Sequence, residues 1–214
     1  MFNFEKEMIP ILRKYLSEKY QISDGHFVSE FNSGNGIADL VFVTEKINNR
    51  DAMALDYDDV FTVLKYFNRK NKKIEIKKFC EDTFLTKKQV LNLINLLVKN
   101  EILEKINEDE FFVKNTYTSP IKEIISIEAK LADWKGGFYQ ALRYKTYSHE
   151  SYLAISEKFS HRVDLDLLKK HNIGLIVVST DKIDIILKAK KKNPSNLVAH
   201  AYLAEQMMRA TYAR

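Results

Sequence analysis

The stretch "ISIEAKLADWKGGFYQALRYK", residues 125–145, decides how this chain is read. It opens as a buried strand would, yet Glu128 and Lys130 stand where such a strand carries Ile or Val. Side chains alternate faces along a strand, so these two charges, at i and i+2, point to the same side. Burying an ion is costly unless it is paired or bound to a metal. A helix from about Trp134 to Tyr147 is expected next, with Gln140 and Tyr144 four apart on one of its faces.

Working outward, the segment "GIADLVFV" (36–43) reads as a strand apolar on both faces, hence central, with Asp39 inside it. It follows a strand "HFVSEF" (26–31) and a glycine-rich turn "NSGNG". Residues 2–19 read as a helix with Met8, Ile9, Leu12, Tyr15 and Leu16 on one face; Pro10 implies a kink or a late start. Beyond residue 145, strands are expected at 151–156, at 173–180 and over "IDIILKAK", with a helix over "RVDLDLLKKH" and a closing helix over "SNLVAHAYLAEQMMRAT".

Between these α/β segments the character changes. "YDDVFTVLKYFNRKN" reads as a helix, then a short "IEI", then a compact helix "KKFCEDTF". A further helix opens with a capping box, Thr86 as N-cap and Gln89 three residues on, and carries an apolar stripe of Val90, Leu93, Ile94 and Leu97. Two short strands around the acidic tip Asn107–Glu110 complete an order that resembles a winged helix-turn-helix over about residues 57–115. The expected fold class is α/β, a mixed sheet flanked by helices and interrupted by this module. The expected domains are a discontinuous core, 1–56 with 117–214, and an insert, 57–116.

Composition limits the alternatives. The chain has 214 residues, 45% apolar and 29% charged, with few glycines and prolines, which fits an ordinary globular protein. No apolar run approaches the roughly 18 residues of a membrane span, and "MFNFEKEM" lacks a signal-peptide layout, so no membrane partner is expected. A single cysteine, Cys80, excludes an internal disulfide framework and a multi-cysteine zinc site and fits the cytoplasm. The five histidines have no metal-ligand spacing. The net charge of +5 permits a polyanionic partner without requiring one.

Two carboxylates converging on one point suit a hard divalent cation, Mg²⁺ or Mn²⁺, which binds through one or two carboxylates, waters and phosphate oxygens. A neighbouring lysine can orient a water or balance developing negative charge. Asp39, Glu128 and Lys130 therefore make a sensible phosphodiester hydrolase centre. Other acidic-x-Lys triplets exist, Glu75-x-Lys77 and Asp133-x-Lys135, but neither has an apolar strand around it.

On these residues the sequence resembles the PD-(D/E)XK nuclease superfamily. Asp39 and Glu128-Ala129-Lys130 match its motif, and "QALRY", Gln140 to Tyr144, resembles the Gln-x-x-x-Tyr motif of its RecB-like branch. Ala38 departs from the pattern, standing where the family name has proline. The resemblance covers roughly residues 1–55 and 118–160 and implies a restriction-endonuclease-like fold and a metal-dependent nuclease acting on DNA. It implies Asp39 and Glu128 as metal ligands, joined by the Ala129 carbonyl and an acid of the first helix. Glu5 is preferred for that role, since helical counting puts it on the face of Met8 and Leu12 while Glu7 points away. Lys130 would position the attacking water, and Gln140 and Tyr144 would support the site or touch the nucleic-acid backbone. Lys87, Lys88 and Gln89, at the start of the helix-turn-helix module's third helix, are the expected DNA contacts, because a recognition helix meets base edges with its first turn. A homodimer or partner subunits are compatible with this reading. The alternative is a non-enzymatic DNA-binding or protein-interaction protein working through the insert.

Overall fold

The computed structural model describes residues 2–33, 36–45, 53 and 55–212, without the side chains of 210–212. A 3-10 turn at Glu5–Glu7 leads into α1 (Met8–Tyr20), which is followed by β1 (Phe27–Asn32) and β2 (Ile37–Val43). Pro10 is the third residue of α1, where its missing N–H is one that no helical carbonyl would have paired, so the helix runs unbroken through it. Of the turn read at 32–36, Gly34 and Asn35 lie outside the described residues.

The middle of the chain forms α2 (Tyr57–Tyr66), β3 (Lys73–Glu75), α3 (Ile76–Thr83), α4 (Lys87–Lys99), β4 (Leu103–Lys105) and β5 (Glu110–Val113). The capping box at Thr86 is present, with Gln89 N–H donating to Thr86 Oγ1 and Thr86 N–H to Gln89 Oε1. The chain then gives β6 (Ile124–Lys130), α5 (Trp134–Tyr144), β7 (Glu150–Ser156), α6 (Leu165–His171), β8 (Gly174–Val178), β9 (Ile183–Leu187) and α7 (Leu197–Tyr212). Among the described residues, no helix is long and apolar enough to cross a membrane.

The protein is α/β. Six strands form one mixed sheet in the order β1-β2-β6-β7-β8-β9. The pairs β6–β7 and β7–β8 are parallel and the others antiparallel. Residues of α1 (Met8, Leu12, Leu16) cover one face with Phe42, Ile125, Ile127 and Ala154. On the other face, Phe138 and Ala141 of α5 pack with Leu153, Ile155 and Leu175, while Leu203 and Met207 of α7 pack with Val41, Val43 and Ile124.

The segment between β2 and β6 builds its own three-stranded sheet, β3-β5-β4, and its own apolar cluster, in which Val60 and Val63 of α2, Phe79 of α3 and Leu93, Ile94 and Leu97 of α4 meet. That cluster also takes in Ala201, with Val198 and Tyr202 packed against it, so α7 serves both cores. Glu205, fully buried on α7, ties both ends of the intervening segment. Its Oε2 accepts from Met53 N–H at 3.0 Å and its Oε1 from the Tyr117 hydroxyl at 2.9 Å.

Candidate active site

Leu40 pairs with Ile127 across the antiparallel β2–β6 ladder, so Asp39 and Glu128 come next in line and share a face of the sheet. The Asp39 carboxylate crosses to β6 and accepts from the Ala129 N–H at 2.8 Å. Glu128 is 1% exposed. One of its oxygens, Oε2, takes a 2.6 Å contact from the Tyr144 hydroxyl on α5. Its other oxygen, Oε1, has Lys130 Nζ 2.7 Å away, an ion pair whose geometry does not align as a hydrogen bond and leaves that buried oxygen otherwise unpartnered.

Glu5 completes the group. Its Oε1 accepts from Leu131 N–H at 3.2 Å, and its Oε2 lies 3.5 Å from Lys130 Nζ. Glu5 stands in the 3-10 turn ahead of α1, not on the helix itself, so counting 100° per residue back from Met8 does not describe how it reaches the site. The turn's contact with the end of β6 does. Glu7 instead caps the turn, accepting from Asn3 N–H at 2.8 Å.

Gly137 sets the distance between α5 and the strands. A Cβ there would come within 2.6 Å of Leu153 Cδ1 and 2.8 Å of Lys130 Cγ, so any larger residue would force these side chains aside where the first turn of α5 lies on the Lys130 stem. Asp133, the decoy acid of the sequence, is the N-cap of α5 and accepts from Gly136 N–H at 3.0 Å.

Burial dominates the electrostatics. It raises the Asp39 and Glu128 carboxyls above the usual range, with the Asp39 charge adding to the rise at Glu128. The Ala129 amide and Lys130 pull Asp39 the other way, and Lys130 and Tyr144 do the same for Glu128. At Lys130 burial opposes the charged form, but Glu128, Glu5 and Asp39 outweigh it and the ammonium is held above its ordinary value. Burial and the adjacent Glu128 push the Tyr144 hydroxyl up, so it stays a donor.

The expected residues separate into three groups. Asp39, Glu128, Lys130, Glu5 and the Ala129 backbone meet at one end of the sheet. Tyr144 joins them from beneath and is fully buried, so it supports Glu128 and cannot touch a nucleic-acid backbone. Gln140 is half-buried on α5 and makes no side-chain hydrogen bond to the cluster. Lys87, Lys88 and Gln89 are exposed on α4, but the Gln89 amide oxygen is committed to the cap, leaving only its NH₂ to a ligand. Sequence reasoning missed the Ile37 carbonyl, 2.5 Å from the Tyr144 hydroxyl, since a backbone acceptor has no residue-type signal.

Glu128 supplies a buried carboxylate whose Oε1 meets only the Lys130 ammonium, and Asp39 a second carboxylate, an oxygen-only set suited to Mg²⁺ or Mn²⁺. The Lys130 ammonium now provides the positive charge between Glu5 and Glu128. Among the described residues, no three acidic, histidine or cysteine side chains are gathered closely enough to cage an ion without help from backbone or water.

No family model matches this chain, and no curated protein matches it. One solved structure is similar over part of its length, described as "SPO1766 protein of unknown function from Silicibacter pomeroyi". The match is 16% identical, covers 43% of this chain and 59% of that one, and has a TM-score of 0.32, too low to assign a fold.

Proposed function

We propose that the protein is a metal-dependent nuclease of restriction-endonuclease-like fold that hydrolyses phosphodiester bonds in DNA. The observation that carries this reading is the meeting of Asp39, Glu128, Lys130 and Glu5 at one end of the β2–β6 pair, with Glu128 buried and held by Tyr144. Two acids raised by burial, facing a lysine held between Glu128 and Glu5, form the kind of perturbed cluster that gathers at functional sites.

Asp39 and Glu128 would hold Mg²⁺ or Mn²⁺, with the Ala129 carbonyl as a further donor and Glu5 reaching the ion through a water. When bound, such an ion lowers the pKa of a water and offsets charge on the phosphate. Lys130 donates to the attacking water or to the phosphate oxygens, its ammonium kept charged by three acids. Tyr144 fixes the Glu128 rotamer.

The segment 57–116 fits a winged helix-turn-helix insert, with β4 and β5 as its wing and Lys87 and Lys88 opening the recognition helix. Its contribution would be DNA affinity.

The deciding assay incubates plasmid and linear DNA with the full chain in Mg²⁺, Mn²⁺ or EDTA. Cleavage should need the ion and disappear in Glu128→Ala and Asp39→Ala. Cutting by folded Glu128→Ala at the wild-type rate would remove the assignment.

A further inference from the structure

The outer face of α5 presents a pattern that the cluster itself does not use. Lys135, Tyr139 and Arg143 follow one another at i, i+4 and i+8, opposite the buried Phe138 and Ala141, and form one exposed stripe. Tyr139 is 61% exposed, a large apolar surface to leave in water. Its ring is steadied edge-on by Phe138, centroids 5.2 Å apart at 64°, which leaves a face open. Lys135 Nζ sits 5.8 Å from the Trp134 ring at the head of the same helix. Arg143 lies against Gly36, its Nε 3.5 Å from where a Cβ on that glycine would stand. Among the described residues, no carboxylate pairs with Lys135 or Arg143, and neighbouring Asp133 is occupied capping α5.

Two cations with no carboxylate partner among the described residues, and an exposed aromatic between them, match the needs of a nucleic-acid strand whose bases are free to stack. Cations track the phosphates, and the ring takes a base without regard to sequence. A duplex hides its base faces and offers Tyr139 nothing to stack on. The stripe also leads to the cluster, since the first turn of α5 lies on Lys130 and Arg143 lies over Gly36, next to Ile37.

We propose that the exposed face of α5 binds an unpaired DNA strand, with Tyr139 stacking on a base and Lys135 and Arg143 contacting phosphates on either side. The proposal deepens the nuclease reading and rests on it for the nature of the strand: an unpaired end or a melted stretch is delivered to the acids along this helix. It also assigns the contact with nucleic acid to residues other than Tyr144, which is buried beneath them.

The test measures binding of a fluorescent oligothymidine, and of a duplex of the same length, to the full chain in EDTA, so that no cleavage intervenes. Tyr139→Ala should weaken oligothymidine binding about tenfold, while Tyr139→Phe retains it. Lys135→Gln and Arg143→Gln should each reduce the slope of log affinity against log salt by about 0.7. Because all three side chains are exposed, melting temperatures should stay at the wild-type value. Wild-type affinity in Tyr139→Ala and in the Lys135→Gln, Arg143→Gln double variant overturns the proposal, and so does tight binding confined to the duplex. The nuclease reading fails separately: stripe-dependent oligothymidine binding without metal-dependent cleavage sinks the reading and leaves the strand site. Metal-dependent cleavage with an inert stripe does the reverse.

Discussion

The Tyr144 hydroxyl lies 2.6 Å from Glu128 Oε2 and 2.5 Å from the Ile37 carbonyl oxygen. A phenol has one proton, and a carboxylate and a carbonyl are both acceptors. The single hydroxyl proton therefore serves two acceptors, the Glu128 carboxylate and the Ile37 carbonyl, from one position between them. One side chain on α5 thus links the acid of β6 to the backbone of β2, across the pair of strands that forms the site.

Tyr144→Phe should therefore cost stability as well as activity. It strips the donor from the Ile37 carbonyl and the partner from a buried carboxyl, a loss of about 1–3 kcal/mol. Urea unfolding of the metal-free protein measures the first effect and cleavage the second. A variant as stable as wild type would mean that water replaces the hydroxyl.

Lys130→Ala should separate metal binding from chemistry. The ammonium lies between Glu128 and Glu5, and without it Mg²⁺ meets less competition for the acids. Calorimetric titration should show affinity equal to or above wild type, while turnover is lost. Glu128 also loses its counter-charge, so the metal-free variant should melt lower at neutral pH, and the gap from wild type should narrow as falling pH protonates the raised Glu128 carboxyl. Loss of metal binding together with activity would assign Lys130 to holding the site in shape.

Acid should weaken the fold through His149. Burial, the neighbouring His200 and Lys191 lower its pKa from 6.5 to about 4, and its Nδ1 accepts from the Ile124 N–H at 3.0 Å. The unfolded chain binds this proton below about pH 6.5 and the folded one only near 4, so stability falls as pH drops through that window. His200, ring centroid 5.1 Å away and also depressed by burial, acts in the same direction. Asp39 and Glu128, with raised values, act oppositely and lose stability as pH rises. Melting curves from pH 7 to about 4 should show a smaller fall in His149→Gln than in wild type; parallel curves would exclude His149 as the source.

Replacing residues 57–116 by a glycine-rich turn should leave a core that still cuts, at a cost. The two ends of the segment already meet at Glu205, which favours a short closure. Removal, however, uncovers Val198, Ala201 and Tyr202 on α7, so the excised core should aggregate unless Val198 and Tyr202 are made polar. In the intact chain, Glu205→Ala should destabilise by about 1–3 kcal/mol, because it leaves the buried Met53 N–H without its acceptor and takes one from the half-buried Tyr117 hydroxyl. Sedimentation and thermal melts of the three proteins check both expectations.

Much of this was legible from local rules. The i, i+2 spacing of Glu128 and Lys130 put both on one face of a strand, the apolar run around Asp39 marked it as central, and Thr86 with Gln89 announced the start of α4. Each depends on periodicity or on a cap spanning four residues, and such signals survive without knowledge of what packs where. The rest needed the tertiary structure, because it concerns partners distant in sequence. Tyr144 carries the same letters whether it faces solvent or sits at 0% exposure under Glu128; only the close approach of α5, permitted by Gly137, buries it. Glu205 reads as one more polar residue on a helix until Met53 and Tyr117 arrive from 152 and 88 residues away. Glu5 reaches Lys130 through a 3-10 turn that helical counting does not describe. Sequence determined which groups bear charge and which face of their own element they take; long-range packing decided which of those charges meet.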